Sequence, residues 1–185
     1  MITEIKTQAE QQMKKAIEAT AKDFNGVRTG RASLALLDGI MVEYYGTPTP
    51  LNQVATLAIP ESRLIIIQPW DSSLLQSIEK AILKSDLGIT PTNDGRVVRI
   101  AIPPLTEERR KELVRVIRKM AEEGRIAVRN IRRDANDHLK KAEKEKKISE
   151  DEAKKAMEEI QNLTDRFIKE IDDLLAKKER EIMEF

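Results

Sequence analysis

The chain has 185 residues, of which 40% are hydrophobic, 35% charged and only 3% aromatic, with a formal net charge of +1. That is length for one or two domains with a folded core, and many charges with few aromatics favour helical bundles over sandwiches or barrels. The lack of cysteine excludes a disulfide framework or a thiolate metal site. No apolar run reaches the roughly 18 residues of a membrane span, and the N-terminus has no export-signal core, so the expected setting is the cytoplasm.

Ile2, Ile5, Ala9, Met13, Ala16, Ile17 and Phe24 recur at helical spacing and predict a first helix from about Thr3 to Asn25, stopped by Gly26. The character of the chain then changes. All seven prolines and five of the seven glycines fall between residues 30 and 104, which marks a domain boundary. Inside it, residues 40–45, 63–68 and 97–102 are strand-like, and Asn93-Asp94-Gly95 signals a tight turn before the last of them. Asp71 or Ser72 can cap a helix running to about Asp86, with Leu74, Leu75, Ile78, Ala81 and Ile82 apolar and Gly88 just past its end. Trp70 is expected in the core or as an anchor at that helix start, with ligand stacking the lesser alternative.

From Thr106 to Lys147 the pattern predicts one uninterrupted helix, capped by Thr106 with Glu107 and Glu108 in its first turn. Some 40 residues make a rod roughly 60 Å long. Leu113, Ile117, Met120, Gly124, Ala127, Ile131 and His138 trace its apolar stripe, with Gly124 a position where a small residue suffices and His138 structural. On a wheel of 100° per residue with Arg118 at zero, Arg125, Arg129 and Arg132 fall within about 40° of it, while Met120, Ala127 and Ile131 lie about 180–220° away. Ser149-Glu150-Asp151-Glu152 is a capping box that restarts the helix, and Ala153, Met157, Ile160, Leu163, Phe167, Ile171, Leu174 and Ile182 carry it to the C-terminus.

The expected fold is therefore α+β, an elongated three-helix bundle from residues 1–29 and 106–185 with a small α/β domain, 30–105, inserted in it. Thr29-Gly30-Arg31 and Pro103-Pro104-Leu105 form the two crossings, and a glycine facing paired prolines predicts a bendable joint of limited range. Charge is uneven along the chain: residues 106–147 carry 15 basic against 9 acidic side chains, and residues 148–185 carry 7 against 12. Helices pairing by charge would account for the acidic partner, but an arginine stripe opposite the apolar one points away from it. The stripe is then either a polyanion-binding surface or a solvated face.

Catalytic signals are nearly absent. The single histidine has no nucleophile or metal partner nearby in sequence, and no G-x-x-x-x-G-K phosphate loop is present, so the expectation is a binding factor without cofactor or metal. The runs Val27-Arg28-Thr29-Gly30-Arg31-Ala32, Val42-Glu43-Tyr44-Tyr45-Gly46, Ser85-Asp86-Leu87-Gly88, Pro103-Pro104-Leu105-Thr106-Glu107-Glu108-Arg109-Arg110-Lys111 and Val128-Arg129-Asn130-Ile131-Arg132-Arg133-Asp134 resemble the bacterial-type ribosome recycling factor family, over essentially the whole chain.

The resemblance implies a three-helix bundle and a smaller hinged α/β domain in an L shape. It implies a monomer that binds the post-termination ribosome at large-subunit rRNA near the intersubunit bridges. With elongation factor G, which supplies GTP hydrolysis, it would separate the subunits and free mRNA and tRNA. On that picture Arg110, Arg129 and Arg132 carry phosphate and base contacts, and the candidate rRNA-binding set is Arg110, Arg125, Arg129, Arg132 and Arg133. A structural coiled-coil scaffold, its charges serving only assembly, is the alternative.

Overall fold

The computed structural model describes residues 1–184. The fold is α+β, and its contacts divide it into two compact units, Met1–Arg28 with Glu107–Glu184, and Thr29–Thr106. The last helix, expected to run to the C-terminus, would take in Phe185, which lies outside the described residues.

The first unit is three helices: α1, Ile2–Asn25, α3, Glu107–Lys144, and α4, Glu150–Glu184. Each buries one stripe at spacings of mostly three and four or their sums. In α1 the stripe is Ala9, Met13, Thr20 and Phe24, and in α4 Ala153, Ala156, Ile160, Thr164, Phe167, Ile171 and Ile182. Two threonines can sit in this core because each hydroxyl donates back to its own helix, Thr20 to the Ala16 carbonyl at 2.9 Å and Thr164 to the Ile160 carbonyl at 2.8 Å. A buried hydroxyl without such a partner would cost about 1–3 kcal/mol. Gly26 does end α1, but at φ −73°, its N–H donating a hydrogen bond to the Lys22 carbonyl at 3.2 Å, not as the left-handed cap glycine usually supplies.

The stripe of α3 is turned from its expected place. Leu113 and Ile117 are buried as expected, but further along the buried residues are Ala121, Gly124, Val128, Ala135, Leu139 and Ala142. Met120, Ala127 and Ile131 are only half-buried, and His138 is exposed. On the wheel the buried set from Ala121 to Leu139 lies about 240–300° from Arg118, some 70° round toward the arginines. A helix that packs on two partners buries a broad sector, and its centre is set by small residues that let backbones approach. Alanine and glycine carry that role here, and they announce it weakly in sequence.

The predicted single helix to Lys147 stops earlier. After Lys144 the chain closes with the Lys147 amide on the Ala142 carbonyl and the Lys146 amide on the Glu143 carbonyl, both at 2.9 Å. That pair of bonds is a Schellman motif, and Lys146 takes the left-handed position at φ 60°. The capping box follows as predicted: Ser149 Oγ accepts from the Glu152 amide at 3.1 Å and Glu152 Oε1 accepts from the Ser149 amide at 3.2 Å.

The second unit is built on two antiparallel sheets. β1, Met41–Tyr44, and β2, Thr47–Pro50, form a hairpin whose two turn residues, Tyr45 at φ 50° and Gly46 at φ 76°, are both left-handed. The larger sheet has the order β3-β4-β6-β5, from β3, Ala55–Glu61, β4, Leu64–Pro69, β5, Thr92–Asn93, and β6, Val98–Ala101. Ile65, Ile67, Val98 and Ile100 alternate with more exposed neighbours, and their buried face packs with Leu75, Ile78 and Ile82 of α2, Leu75–Lys84. Of the two candidate caps it is Asp71 that accepts from the Ser73 amide, at 3.0 Å, opening a 3-10 turn, Ser72–Leu74, before α2.

Trp70 is not in the core. It is 65% exposed, with its indole Nε1 donating to Thr56 Oγ1 at 2.8 Å. Three of the six strands among the described residues, β2, β3 and β5, were not expected. Two prolines in β2 mask it as a strand, which is admissible because it pairs on one side only.

Candidate nucleic-acid interface

The five candidate arginines divide by what they touch. Arg110 lies on the inward side of α3, half-buried, with Nη1 donating to the Met183 carbonyl at 2.8 Å. Its Nε is buried without a hydrogen-bond partner among the described residues. Arg125 is also drawn in. Its side chain is 20% exposed, and it donates to Asp172 Oδ1 through Nε at 2.8 Å and Nη2 at 2.7 Å, and to Glu122 Oε2 at 3.0 Å. Burial opposes its charge, and the bonds to Asp172 and Glu122 more than offset that.

The arginine ladder therefore does not point away from the acidic helix, as the sequence had suggested. Its edge runs along α4, where Arg118 donates to Glu179 Oε1 at 2.7 Å and Arg125 to Asp172. The cause is the turned stripe: with the buried sector centred on Ala121, Gly124 and Val128, residues 125 and 132 sit at its border.

Further along α3 the charge opens outward. Arg129 and Arg133 are exposed, and with Arg132, Asn130, Ile126, Lys140, Asn136 and a single carboxylate, Asp137, they line a groove whose far wall is Gln161 of α4. Arg129 meets Glu122 Oε1 at 3.2 Å, and Arg133 donates to Asn130 Oδ1. Glu122 is held below the usual glutamate range by hydrogen bonds from Arg125 and then Arg129. Arg132 was expected exposed and unattached; it is half-buried, and its Nη1 donates to Gln161 Oε1 at 3.1 Å. One Nη1 bond to a neutral oxygen leaves most of the fork's five donors for a ligand. The groove thus combines guanidinium, ammonium and amide donors, the set that holds phosphates and base edges.

Sequence reasoning missed Gln161, Asn130 and Ile126. Gln161 lies 29 residues from Arg132 in the chain, and only the pairing of α3 with α4 brings them together. Asn130 and Ile126 carried a signal, since they fall on the same outward face as Arg129 and Arg133 at 100° per residue.

At the two crossings, Thr29 and Gly30 are buried and Gly30 is left-handed at φ 77°, whereas Arg31, Pro103 and Pro104 are exposed and Leu105 half-buried. Among the described residues no cluster of His, Asp and Glu could hold a metal ion, and no helix is long and apolar enough to cross a membrane.

A three-helix unit with a cationic groove on its longest helix, interrupted in sequence by a small α/β unit, defines a protein of α+β fold whose groove has donors suited to a polyanion. The family model for ribosome recycling factor matches residues 20–183. The ribosome-recycling factor of Desulfatibacillum aliphaticivorans is 60% identical over 185 residues, covering 100% of both chains. That of Syntrophomonas wolfei subsp. wolfei is 62% identical over 184 residues, again covering 100% of each. A solution structure of a ribosome recycling factor is similar with a TM-score of 0.79 at 47% identity, over 100% of this chain and 98% of that one. A chain from models of the T. thermophilus ribosome recycling factor and the E. coli elongation factor G bound to the E. coli post-termination complex is similar with a TM-score of 0.66 at 52% identity, over 98% of each chain. The chain belongs to the ribosome recycling factor family.

Proposed function

We propose that this chain is a translation factor that binds the post-termination ribosome and, with elongation factor G and GTP, splits it into subunits and releases mRNA and tRNA. The observation that carries this reading is the groove of Arg129, Arg132, Arg133 and Lys140, set in a chain that matches its family along nearly its whole length. The relative bound to a post-termination complex beside elongation factor G supports the choice of partners.

In this reading the three-helix unit is the RNA-binding part, and α3 lays its outward arginines along large-subunit rRNA. The unit Thr29–Thr106 is where a push from elongation factor G is received, and the crossings at Thr29-Gly30-Arg31 and Pro103-Pro104-Leu105 act as the joint that transmits it. Gly30 in the left-handed region and two successive prolines give one crossing freedom and the other stiffness. Among the named arginines, Arg129, Arg132 and Arg133 make the main RNA contacts, while Arg125 and Arg110 chiefly hold α3 to α4. The chain supplies no bond-breaking chemistry, acts as a monomer without cofactor, and works in the cytoplasm.

Cosedimentation with vacant ribosomes at two salt concentrations tests it. A factor held by phosphate contacts loses affinity steeply, with a logarithmic slope of about −0.7 to −0.9 per contact. Binding that ignores salt, or self-association without RNA, would favour the scaffold reading instead.

A further inference from the structure

Arginines spaced seven apart on α3 meet carboxylates spaced seven apart on α4. Arg118 pairs with Glu179 at 2.7 Å and Arg125 with Asp172 at 2.7 Å. As the number rises by seven on one helix it falls by seven on the other, so the next rung should join Arg132 to Asp165. That rung is not an ion pair. Gln161, one turn before Asp165, stands in it: its Nε2 donates to Asp165 Oδ1 at 2.8 Å and its Oε1 accepts from Arg132 at 3.1 Å.

We infer that Gln161 is a positioning residue for the RNA-facing Arg132, occupying Asp165 so that the third arginine keeps its charge uncancelled at the groove. The inference rests on the proposed binding of rRNA by that groove. The amide is fixed in this sense by its neighbours. A carboxylate can only accept and a guanidinium can only donate, so the reversed amide would face both with the wrong group. A carboxylate on Arg132 would form a charge-assisted bond, about twice as strong as one to a neutral oxygen, and a phosphate would have to displace it. A neutral amide oxygen orients the guanidinium and leaves its charge to the ligand. The two rungs beside it, Arg118 and Arg125, are neutralised by carboxylates and serve to join the helices; the third is kept apart from that use.

The test compares ribosome cosedimentation of the parent, Arg132→Ala, Gln161→Ala, Gln161→Glu and the double variant Gln161→Ala, Asp165→Ala, with thermal melting of each. Arg132→Ala should bind roughly tenfold more weakly. Gln161→Ala lets Asp165 reach Arg132, and Gln161→Glu supplies a carboxylate directly, so both should lose about three- to tenfold in affinity without melting lower. The double variant removes the competing carboxylate as well, and should bind measurably more tightly than Gln161→Ala, though not as tightly as the parent, since the orienting amide is also gone. Parent-like affinity in Gln161→Ala overturns the inference alone, and so does a double variant as weak as Gln161→Ala, which would mean that Gln161 touches RNA itself. Parent-like affinity in Arg132→Ala overturns the RNA role of the groove, and the inference with it.

Discussion

Thr20 of α1 closes directly over Gly124 of α3, so that a Cβ on Gly124 would run into the Thr20 hydroxyl and lie 3.2 Å from Ile171 Cδ1 of α4. Three helices therefore meet at a residue without a side chain, and an alanine there would fit only if Thr20 or its helix shifted. In an exposed helix Gly→Ala would stabilise by about 1 kcal/mol. Here Thr20 would have to turn away from the Ala16 carbonyl or the helices would have to part, so Gly124→Ala should lose about 1–3 kcal/mol. Adding Thr20→Ala removes the obstructing oxygen, and the double variant should be more stable than Gly124→Ala alone in denaturant unfolding. A Gly124→Ala midpoint at or above the parent's would refute the close approach.

Lys146 occupies a left-handed position for which glycine is the usual occupant. Relieving a non-glycine residue there is worth about 1–2 kcal/mol, less the extra freedom glycine has when unfolded. Lys146→Gly should therefore raise stability by about 0.5–1 kcal/mol, while Lys146→Ala, which keeps the Cβ, should not. The comparison is between two thermal midpoints, and equal shifts for glycine and alanine would point to the lysine charge instead.

Arg125 and Arg129 are one turn apart and should fail differently. Arg125 is tied to Asp172 and Glu122 at low exposure. Arg125→Ala should cost stability, up to about 1 kcal/mol after solvent screening, and leave ribosome affinity within about twofold. Arg129 is 45% exposed on the groove. Arg129→Ala should melt within about 0.5 kcal/mol of the parent, bind about tenfold more weakly and shed about one unit of salt slope. Were the two losses exchanged, the assignment of joining and binding arginines would be reversed.

Acid should loosen the helical unit. Glu159 is held below its ordinary range of 4.5 by the hydrogen bond from Lys6, and Glu122 by those from Arg125 and Arg129. A carboxyl with a lowered folded pKa contributes stability that is present above its unfolded value and lost as pH falls through the folded one. Stability should thus be level above about pH 5 and decline below it. Glu159→Gln should flatten that decline without altering the neutral plateau's shape. An unchanged acid limb in this variant would show that the Lys6 contact is not formed in solution.

The purified chain should turn over neither GTP nor ATP, because nothing in its sequence cradles a triphosphate. Sustained phosphate release that follows the protein through successive chromatographic steps would contradict this.

The long helices, the Ser149 capping box and the helix after Asp71 were legible because local spacing and capping chemistry decide them. So was the crowding of cations on α3. The direction of those cations was not. Met120 and Ile131 are bulkier apolar residues, yet packing centred on Ala121, Gly124 and Val128, because close approach of three helices favours small side chains. That rotation brought Arg125 to Asp172 and Arg132 to Gln161, pairings between helices that periodicity within one helix cannot express. β2 was hidden by Pro48 and Pro50, and Trp70 looked like core because its exposure depends on which side of the sheet the chain leaves β4.

The helical unit takes α1 from one end of the chain and α3 and α4 from the other, and this imposes an order on its biosynthesis. The intervening residues 29–106 have their own core and can settle while translation proceeds. At about 5–20 residues per second, α1 waits roughly 5–15 seconds for α3 to begin emerging. Throughout that interval Met13 and Phe24 have no partners from α3 or α4, and most of a helix's stability in a protein comes from packing its apolar face. Closure waits longer still, until Ile160 and Ile171 of α4 are made. A nascent chain thus stays unable to complete its groove until α4, which brings Gln161 to it, has been made.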